Sequence, residues 1–228
     1  MGSDIERLMG QIANEIGEWA TWPGGWPEEA DTALIDAVYS ARARYETVVR
    51  PLITRYQSWD GRQPGGDLRA LIGVDRDALL AQLNNQQVVP GGSGKLKVDA
   101  VIETAAGLVQ EGFNTPDEIR SAAGNSPWAI RSVMHRTNGI GVATSNYFLM
   151  LMGVDGVKAD TMILGFVERA LDRTVGQKEG ETLVGQASER LSCSRIDLDH
   201  AIWSHESTRR RAHADTLENQ NAPHIPSR

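Results

Sequence analysis

The apolar residues of this chain recur at intervals of three and four positions along most of its length. That spacing predicts amphipathic helices, and it is most regular over residues 5–16, 75–83 and 98–109. No segment of useful length shows the apolar–polar alternation of a half-buried strand. We therefore predict an all-α fold. The same pattern predicts further helices over residues 32–56 (bent or broken near Pro51), 126–136, 143–151, 161–171, 181–191 and 197–204.

Turn-forming residues separate these predicted helices. A rigid turn rich in proline and glycine covers residues 22–27, and polar or glycine-rich loops cover residues 59–66 and 88–94. Thr115 and Pro116 form a typical helix start, with a capping hydroxyl followed by proline in the first turn. From about residue 208 the chain is polar and contains three consecutive arginines and two prolines. We predict that residues 208–228 form a disordered tail.

Composition narrows the class of protein. Of the 228 residues, 40% are hydrophobic and 23% are charged, which is typical of a soluble globular protein. No apolar stretch reaches the roughly 18 residues that a membrane helix needs, and the first residues lack the pattern of a secretory signal. We therefore expect a cytoplasmic protein that binds no membrane. The single cysteine, Cys193, excludes an intrachain disulfide and a four-cysteine metal or iron–sulfur site.

The charge of the chain argues against a nucleic-acid partner. The formal net charge is −7, whereas proteins that hold DNA usually present a basic face to its phosphates. A local basic face can nevertheless coexist with an acidic remainder. Arg42, Arg44, Arg50 and Arg55 recur at spacings that can populate one side of a helix. Composition alone therefore leaves nucleic acid as a possible but unfavoured partner.

The most informative segment is a short glycine turn between two predicted helices. Gly139 and Gly141 flank Ile140 there. Two glycines allow a very tight turn and leave backbone N–H groups exposed at the start of the second helix. A phosphate can approach such a turn and be bound by the N–H groups and the positive helix end. Because helix–helix connections commonly use glycine, the turn is equally compatible with a purely structural role.

The sequence that follows this turn extends the pattern. A helix rich in small residues and a short loop lead to Asp160, which opens the next predicted helix 21 positions after Gly139. This order resembles the helix-hairpin-helix superfamily of base-excision DNA glycosylases (the HhH-GPD superfamily). The glycine turn followed by Asn146, Tyr147 and Phe148 resembles the alkylpurine glycosylases of this superfamily. Asp160 and Thr161 followed by Ile163 resemble endonuclease III and the adenine glycosylases. The resemblance is strong over residues 126–167 and looser over residues 32–110.

The resemblance implies an architecture. It predicts two helical lobes with a cleft between them, one lobe carrying the helix-hairpin-helix motif. We place this hairpin-bearing lobe at residues 25–155 and the second lobe at residues 1–24 plus 156–207. The partner implied is double-stranded DNA containing a modified base, which would place the protein on the nucleoid when bound. Two rival hypotheses remain open: a non-catalytic relative that binds DNA or a protein, and a helical interaction module whose hairpin is merely a turn.

The resemblance also implies roles for individual residues. The hairpin residues Gly139, Ile140 and Gly141, together with Thr144, would grip the DNA backbone. A monovalent cation held by hairpin carbonyls would accompany them, and no other metal is expected. Asp160 would be the catalytic residue, because a carboxylate beside C1′ can stabilise the positive charge that builds on the sugar or activate water. From the residues alone, an ordinary acidic helix cap is the favoured interpretation of Asp160, and the resemblance favours the catalytic role instead.

Several positions depart from the superfamily pattern. Its bifunctional members carry a nucleophilic lysine just after the hairpin, where this chain has Ala143, so the resemblance implies a monofunctional enzyme that uses water. Lys158 is an alternative amine, although a solvated loop lysine is the simpler interpretation. Arg42 lies where endonuclease III-like proteins have a glutamine that fills the hole left in the duplex, and a solvated arginine on a helix face is the alternative. Gln87 and Val88 are candidates for the opposite wedge. No cofactor and no iron–sulfur cluster are expected.

Aromatic residues supply candidates for a base pocket, since flipped bases are held by stacking. Trp26, Tyr45 and Trp128 are predicted for this role, although aromatics near helix starts are more often part of a core. His200 and His205 lack the spacing of a helical metal pair, so we predict structural or surface roles for them. No residue in the sequence identifies the base that would be excised.

Overall fold

The structure of the protein is a computed structural model that describes residues 2–220, and describes side chains over residues 4–212. Within this part of the chain the regular structure is helical, apart from one isolated antiparallel bridge between Val88 and Leu96, which confirms the predicted all-α fold. The helices are α1 (Gly2–Glu15), α2 (Ala30–Ser40), α3 (Arg50–Gln57), α4 (Arg69–Ile72), α5 (Arg76–Leu83), α6 (Lys97–Gln110), α7 (Pro116–Asn125), α8 (Pro127–Met134), α9 (Val142–Leu151), α10 (Thr161–Leu171), α11 (Gln177–Arg190) and α12 (Arg195–Gln220).

The chain divides into two compact units. The larger unit comprises residues 23–158, and the smaller unit combines the described residues up to 22 with the described residues from 159 onward. Among the helices in the described part of the chain, none is long and apolar enough to cross a lipid bilayer.

The larger unit is built around α2. Every residue of α2 from Ala30 to Tyr39 is buried, and the helix packs against both α6 and α9. Small residues such as Ala33 and Ala37 allow its neighbours to approach closely, while its larger side chains fill the space between them. The apolar face of α6 that the sequence predicts lies in this core, with Val98, Val101 and Leu108 fully buried.

The smaller unit is a cluster of four helices, α1, α10, α11 and α12. The apolar stripe of α1 is buried at Ile5, Leu8 and Ile12. The helix α10 contributes Phe166 and Val167 to the same core. Each helix therefore buries one stripe and leaves the opposite side polar, as its sequence spacing predicts.

The helix start predicted at Thr115 is confirmed in detail. The Thr115 hydroxyl accepts a hydrogen bond from the Glu118 N–H at 3.3 Å, and the Glu118 carboxylate accepts one from the Thr115 N–H at 2.9 Å. Pro116 occupies the first position of α7, where no N–H is required. The reciprocal pair satisfies backbone donors that the helix itself leaves without partners.

The predicted helix over residues 32–56 is wrong in the position of its break. The helix α2 ends at Ser40, and Arg42 has a positive φ of 54°, which stops helical propagation. A π-helical turn, Tyr45–Val49, then leads into α3. Pro51 does not break the helix, because it lies in the first turn of α3, where its missing N–H has no helical partner to lose.

The predicted disordered tail also differs from the structure. The helix α12 continues past residue 208 to Gln220. The segment contains strong helix formers such as arginine, alanine, leucine and glutamate, and its prolines come only after this point. The rest of the predicted tail, residues 221–228, lies outside the described residues.

Candidate functional site

The predicted hairpin is a tight turn between α8 and α9. The Ile140 N–H donates to the Thr137 carbonyl at 3.1 Å, and Gly139 has a φ of +91°. A Cβ at Gly139 would lie 2.4 Å from the Val89 side chain, much closer than real atoms approach. Two independent reasons therefore require glycine at this position: the backbone conformation and the packing of the neighbouring loop.

The second glycine of the hairpin is open to its surroundings. Gly141 precedes α9 and forms no side-chain cap. Its φ of −109° suits any residue, and a Cβ there would meet no atom within 4 Å. The first turn of α9 thus presents N–H groups and the positive end of the helix without a capping side chain. Ile140 is 6% exposed and anchors the turn, and Thr144 is largely buried, so contacts from residue 144 would come from its backbone.

The inner side of the hairpin is held by α8. The His135 Nε2 lies 2.9 Å from the Ser145 hydroxyl, which itself donates to the Val142 carbonyl at 3.1 Å. Burial, reinforced by the nearby Arg131 charge, lowers the pKa of His135 below its usual range. The Gly141 carbonyl accepts a hydrogen bond from the Ser145 N–H at 3.0 Å. The monovalent cation at the hairpin carbonyls stays a prediction.

Arg42 lies on an exposed turn that immediately follows α2. Among the described residues it forms no ion pair, and its left-handed backbone directs the chain sharply away from the helix axis. The predicted alternative, an arginine on a helix face, does not describe this position. A turn of this kind projects its side chain from the surface of the larger unit.

The other predicted wedge, Gln87 and Val88, lies in a loop that pairs with the start of α6. The Lys97 N–H donates to the Gln87 carbonyl at 2.8 Å, and the Val89 N–H donates to the Lys95 carbonyl at 2.9 Å. The Gln87 side chain accepts a hydrogen bond from the Lys97 ammonium at 3.0 Å. Val88 is instead 50% exposed. Of the two wedge candidates, Val88 is therefore the one whose side chain reaches outward.

These contacts bring three of the predicted DNA-contacting segments together within the larger unit. Val89 packs against Gly139 of the hairpin. Lys97 joins Gln87 to the end of α2, where its ammonium donates to the Tyr39 and Ala41 carbonyls. The sequence analysis missed Lys97. The spacing of Lys97 could have predicted its burial. It lies four positions before Val101 and eight before Ala105, which places it on the apolar face of α6.

Two of the three predicted pocket aromatics converge on a buried carboxylate. The Trp26 indole N–H and the Tyr45 hydroxyl both donate to Oδ2 of Asp36, each at 2.9 Å. The Ser40 hydroxyl donates to Oδ1 at 2.9 Å. Burial raises the pKa of Asp36, although these three hydrogen bonds oppose the change. The sequence analysis missed Asp36, which stands out as a carboxylate within the otherwise apolar run of residues 33–39.

The third predicted pocket residue, Trp128, lies elsewhere. Its side chain belongs to α8, is 59% exposed and meets the His135 ring edge-on with 5.9 Å between ring centroids. Trp128 therefore accompanies the hairpin, whereas Trp26 and Tyr45 form a separate cluster around Asp36. An aromatic side chain this exposed is available to stack on a partner.

Removing the Asp36 carboxyl group is expected to destabilise the larger unit. Asp36→Ala leaves three partly buried donors without an acceptor, and we expect a loss of about 2 kcal/mol in the free energy of unfolding. Asp36→Asn is expected to cost less than about 1 kcal/mol, because the Ser40 hydroxyl can accept from the new amide while its oxygen serves Trp26 and Tyr45. Urea denaturation of both variants measures this order, and equal losses would contradict it.

The difference in stability between wild type and Asp36→Asn is expected to depend on pH. Burial raises the pKa of Asp36 above its unfolded value. The contribution of this carboxyl to stability is therefore fully present below the unfolded pKa and is lost as the pH rises through the folded pKa. The stability of wild type relative to Asp36→Asn is expected to fall over that interval in urea titrations, and a difference that rises with pH would contradict the account.

Asp160 caps α10. Its Oδ1 accepts hydrogen bonds from the Met162 N–H at 2.8 Å and the Ile163 N–H at 3.3 Å. The capping role weighed in the sequence analysis is thus present, and it holds the carboxylate at the positive end of a helix. Two backbone donors therefore fix the direction of this carboxylate.

The loop that leads to Asp160 is fastened to the hairpin helices. The Asn146 amide donates to the Val157 carbonyl at 3.0 Å, and its oxygen accepts from Arg131 of α8 at 2.8 Å. Lys158 lies with its ammonium 3.8 Å from the centroid of the Tyr147 ring. The last residues of the larger unit before Asp160 therefore contact side chains of α9, one of which is bonded in turn to α8.

Among its described side chains, the smaller unit contains one group with metal-ligand chemistry. Glu15, His205 and Glu206 place their donor atoms within 4.8 Å of one another. The Arg169 guanidinium already bonds Glu15 at 2.9 Å and Glu206 at 2.8 Å, so a cation of the protein itself occupies this acidic site. His200 stacks on Trp203 with 5.9 Å between ring centroids. Both histidines thus have local partners of their own.

Comparison with solved structures identifies the class of fold. The structure of a trapped endonuclease III–DNA covalent intermediate, in an estranged-adenine complex, matches with a TM-score of 0.59 and 15% sequence identity over 89% of this chain and 84% of that chain. The structure of MBOgg1 in complex with a low-affinity DNA ligand matches with a TM-score of 0.57 and 13% identity, over 91% of this chain and 70% of that chain. The fold of this chain resembles the all-α fold of the helix-hairpin-helix DNA glycosylases.

The sequence comparison then gives the family. Residues 6–207 match the family described as "Domain of unknown function (DUF8548)", and the chain belongs to that family. The sequence matches no curated protein.

Proposed function

We propose that this protein is a monofunctional DNA N-glycosylase that hydrolyses the bond between a modified base and its sugar in duplex DNA. The observation that carries the proposal is the likeness to the glycosylase fold over 89% of the chain. Asp160 lies at the start of α10, the next helix after α9. The partner is double-stranded DNA with a modified base. The action would take place in the cytoplasm on the nucleoid.

The hairpin would hold the DNA backbone. The open, uncapped start of α9 at Gly141 can accept a phosphate on its N–H groups. Arg42 would fill the space that the flipped nucleotide leaves, since a guanidinium can hydrogen-bond the orphaned base. Val88 extends from the neighbouring loop and would wedge the opposite strand, because apolar side chains can insert between base steps. The net charge of −7 opposes binding at long range, and the salt dependence of the affinity reports how many phosphates the protein neutralises.

Base release would follow once the nucleotide is rotated out of the duplex. The C1′–N bond breaks with its electron pair leaving on the base, and positive charge develops on the sugar. The Asp160 carboxylate would stabilise that charge. A water oxygen then bonds to C1′, and the water supplies one proton to the departing base and leaves a hydroxyl on the sugar. Trp26 and Tyr45, fixed by Asp36, would offer aromatic surface to the flipped base.

The proposal is tested with a panel of duplexes that each carry one oxidised, alkylated or deaminated base. Wild-type protein is incubated with each duplex, and hot alkali then cleaves the strand wherever a base has been lost. Cleavage at one class of lesion supports the proposal and names the substrate. Binding to the duplexes without base loss would favour a non-catalytic DNA-binding module. Absence of binding even at low salt would favour a protein-interaction module.

The absence of an amine after the hairpin makes a second prediction. Bifunctional glycosylases form a Schiff base with C1′, which borohydride reduces to a stable adduct. We expect no adduct from wild type, and we expect Ala143→Lys to form one, because residue 143 is partly exposed in the first turn of α9. Gel shifts under denaturing conditions measure this. An adduct formed by wild type and lost in Lys158→Met would contradict the monofunctional assignment and identify Lys158 as the nucleophile.

A further inference from the structure

Lys97 is a buried charge that the proposed chemistry does not use. Its side chain is 2% exposed. Burial of an ammonium group is costly unless its donors are satisfied. The three N–H donors of Lys97 match three acceptors: the Tyr39 carbonyl at 3.0 Å, the Ala41 carbonyl at 2.7 Å and the Gln87 side-chain oxygen at 3.0 Å. The group is therefore fully bonded in one arrangement, and that arrangement involves three separate segments of the chain.

The segments that Lys97 joins are those that would enter the DNA. Ala41 directly precedes Arg42, which has a left-handed backbone that non-glycine residues adopt only under external constraint. Gln87 directly precedes the exposed Val88. A bond to the Ala41 carbonyl fixes the last peptide before the turn, and a bond to Gln87 fixes the residue before the wedge. Burial lowers the pKa of Lys97 to about 8, so the ammonium form still prevails at neutral pH.

We infer that Lys97 is a positioning residue: it couples the Arg42 turn to the Val88 loop and sets the spacing at which the two side chains enter the duplex. Lys97 itself does not touch DNA, since its ammonium is enclosed by protein acceptors. The inference rests on the proposed function, because it assigns Lys97 to the step in which the space of the flipped nucleotide is filled.

The test compares Lys97→Met with a matched control, Lys95→Met. Methionine keeps the length and the buried volume of the lysine stem but donates no hydrogen bond. Lys95 lies two residues away, is more exposed and pairs with Glu103. Its replacement therefore changes the net charge equally but leaves the hydrogen bonds of the Lys97 ammonium in place. Amide hydrogen exchange of the free proteins is the first readout. Faster exchange over residues 41–44 and 87–89 in Lys97→Met alone is expected, and unchanged exchange there would overturn the inference without involving DNA.

The second readout is the ratio of affinities for a duplex with an abasic site and for an intact duplex. Lys97→Met is expected to reduce this ratio by about tenfold, the size of coupling seen between neighbouring groups. Arg42→Ala should reduce it similarly, and the double variant should lose no more than either single variant. Equal weakening for both duplexes, or additive losses in the double variant, would show a merely structural role. If wild type itself does not distinguish the duplexes, the inference about filling the vacated space is overturned, whereas the proposed function stands or falls on base release from the lesion panel.

Discussion

Asp160→Asn is expected to lower the rate of base release by at least about a hundredfold, because the neutral amide cannot stabilise positive charge on the sugar. Stability should change by no more than about 1 kcal/mol, because asparagine caps a helix nearly as well as aspartate and loses only the favourable charge at the helix start. Single-turnover base release and urea denaturation measure the two quantities on the same preparation.

The control for this variant is Asp75→Asn. Asp75 caps α5 and accepts a hydrogen bond from the Ala78 N–H at 2.8 Å, so the substitution makes the same chemical change at a cap outside the proposed site. It should leave base release unchanged. Equal activity of Asp160→Asn and wild type would contradict the catalytic role and leave Asp160 as a helix cap.

Gly141→Asp is expected to stabilise the protein while abolishing most of its affinity for DNA. The new carboxylate can cap α9, which has no side-chain cap, and nothing obstructs its Cβ. We expect the free energy of unfolding to rise by about 0.5–1 kcal/mol. The same carboxylate would occupy the place of the phosphate, so affinity at low salt should fall on the order of a hundredfold.

Gly176→Asp is the matched control for this second variant. Gly176 precedes α11, also without a side-chain cap, and a Cβ there meets no atom within 4 Å. The variant makes the same changes in charge and capping on a helix of the smaller unit. Fluorescence anisotropy on intact duplex should show little loss for Gly176→Asp. Equal losses for the two variants would contradict phosphate binding at the hairpin and indicate general repulsion.

The elements that the sequence predicts correctly are those that depend on interactions between residues close together in the chain. The spacing of Ile5, Leu8 and Ile12 predicts α1, and the Thr115–Pro116 pair predicts the start of α7; both depend on neighbours within a few residues. The same holds for the hairpin, where two glycines signal a turn whatever surrounds it. Asp160 at the start of α10 is likewise a local feature, visible as a cap ahead of an apolar helix.

The features that the sequence does not predict depend on contacts between residues far apart in the chain. Lys97 bonds carbonyls that lie 56 and 58 positions earlier, and these bonds cannot be read from its own neighbours. The break at Arg42 was missed because arginine carries no signal for a left-handed backbone, unlike glycine or asparagine. Asp36 was missed because its donors, Trp26 and Tyr45, come from two different turns. In each case tertiary bonds overrode the local preference.

The central claim, that this chain releases bases from DNA, is tested most directly by the free base itself. Duplex DNA containing a mixture of oxidised, alkylated and deaminated bases is incubated with wild type, Asp160→Asn and Asp75→Asn, and small molecules are identified by mass spectrometry. The account predicts that wild type and Asp75→Asn release one class of free base and that Asp160→Asn does not. If wild type binds this DNA and releases no base, the protein is not a glycosylase.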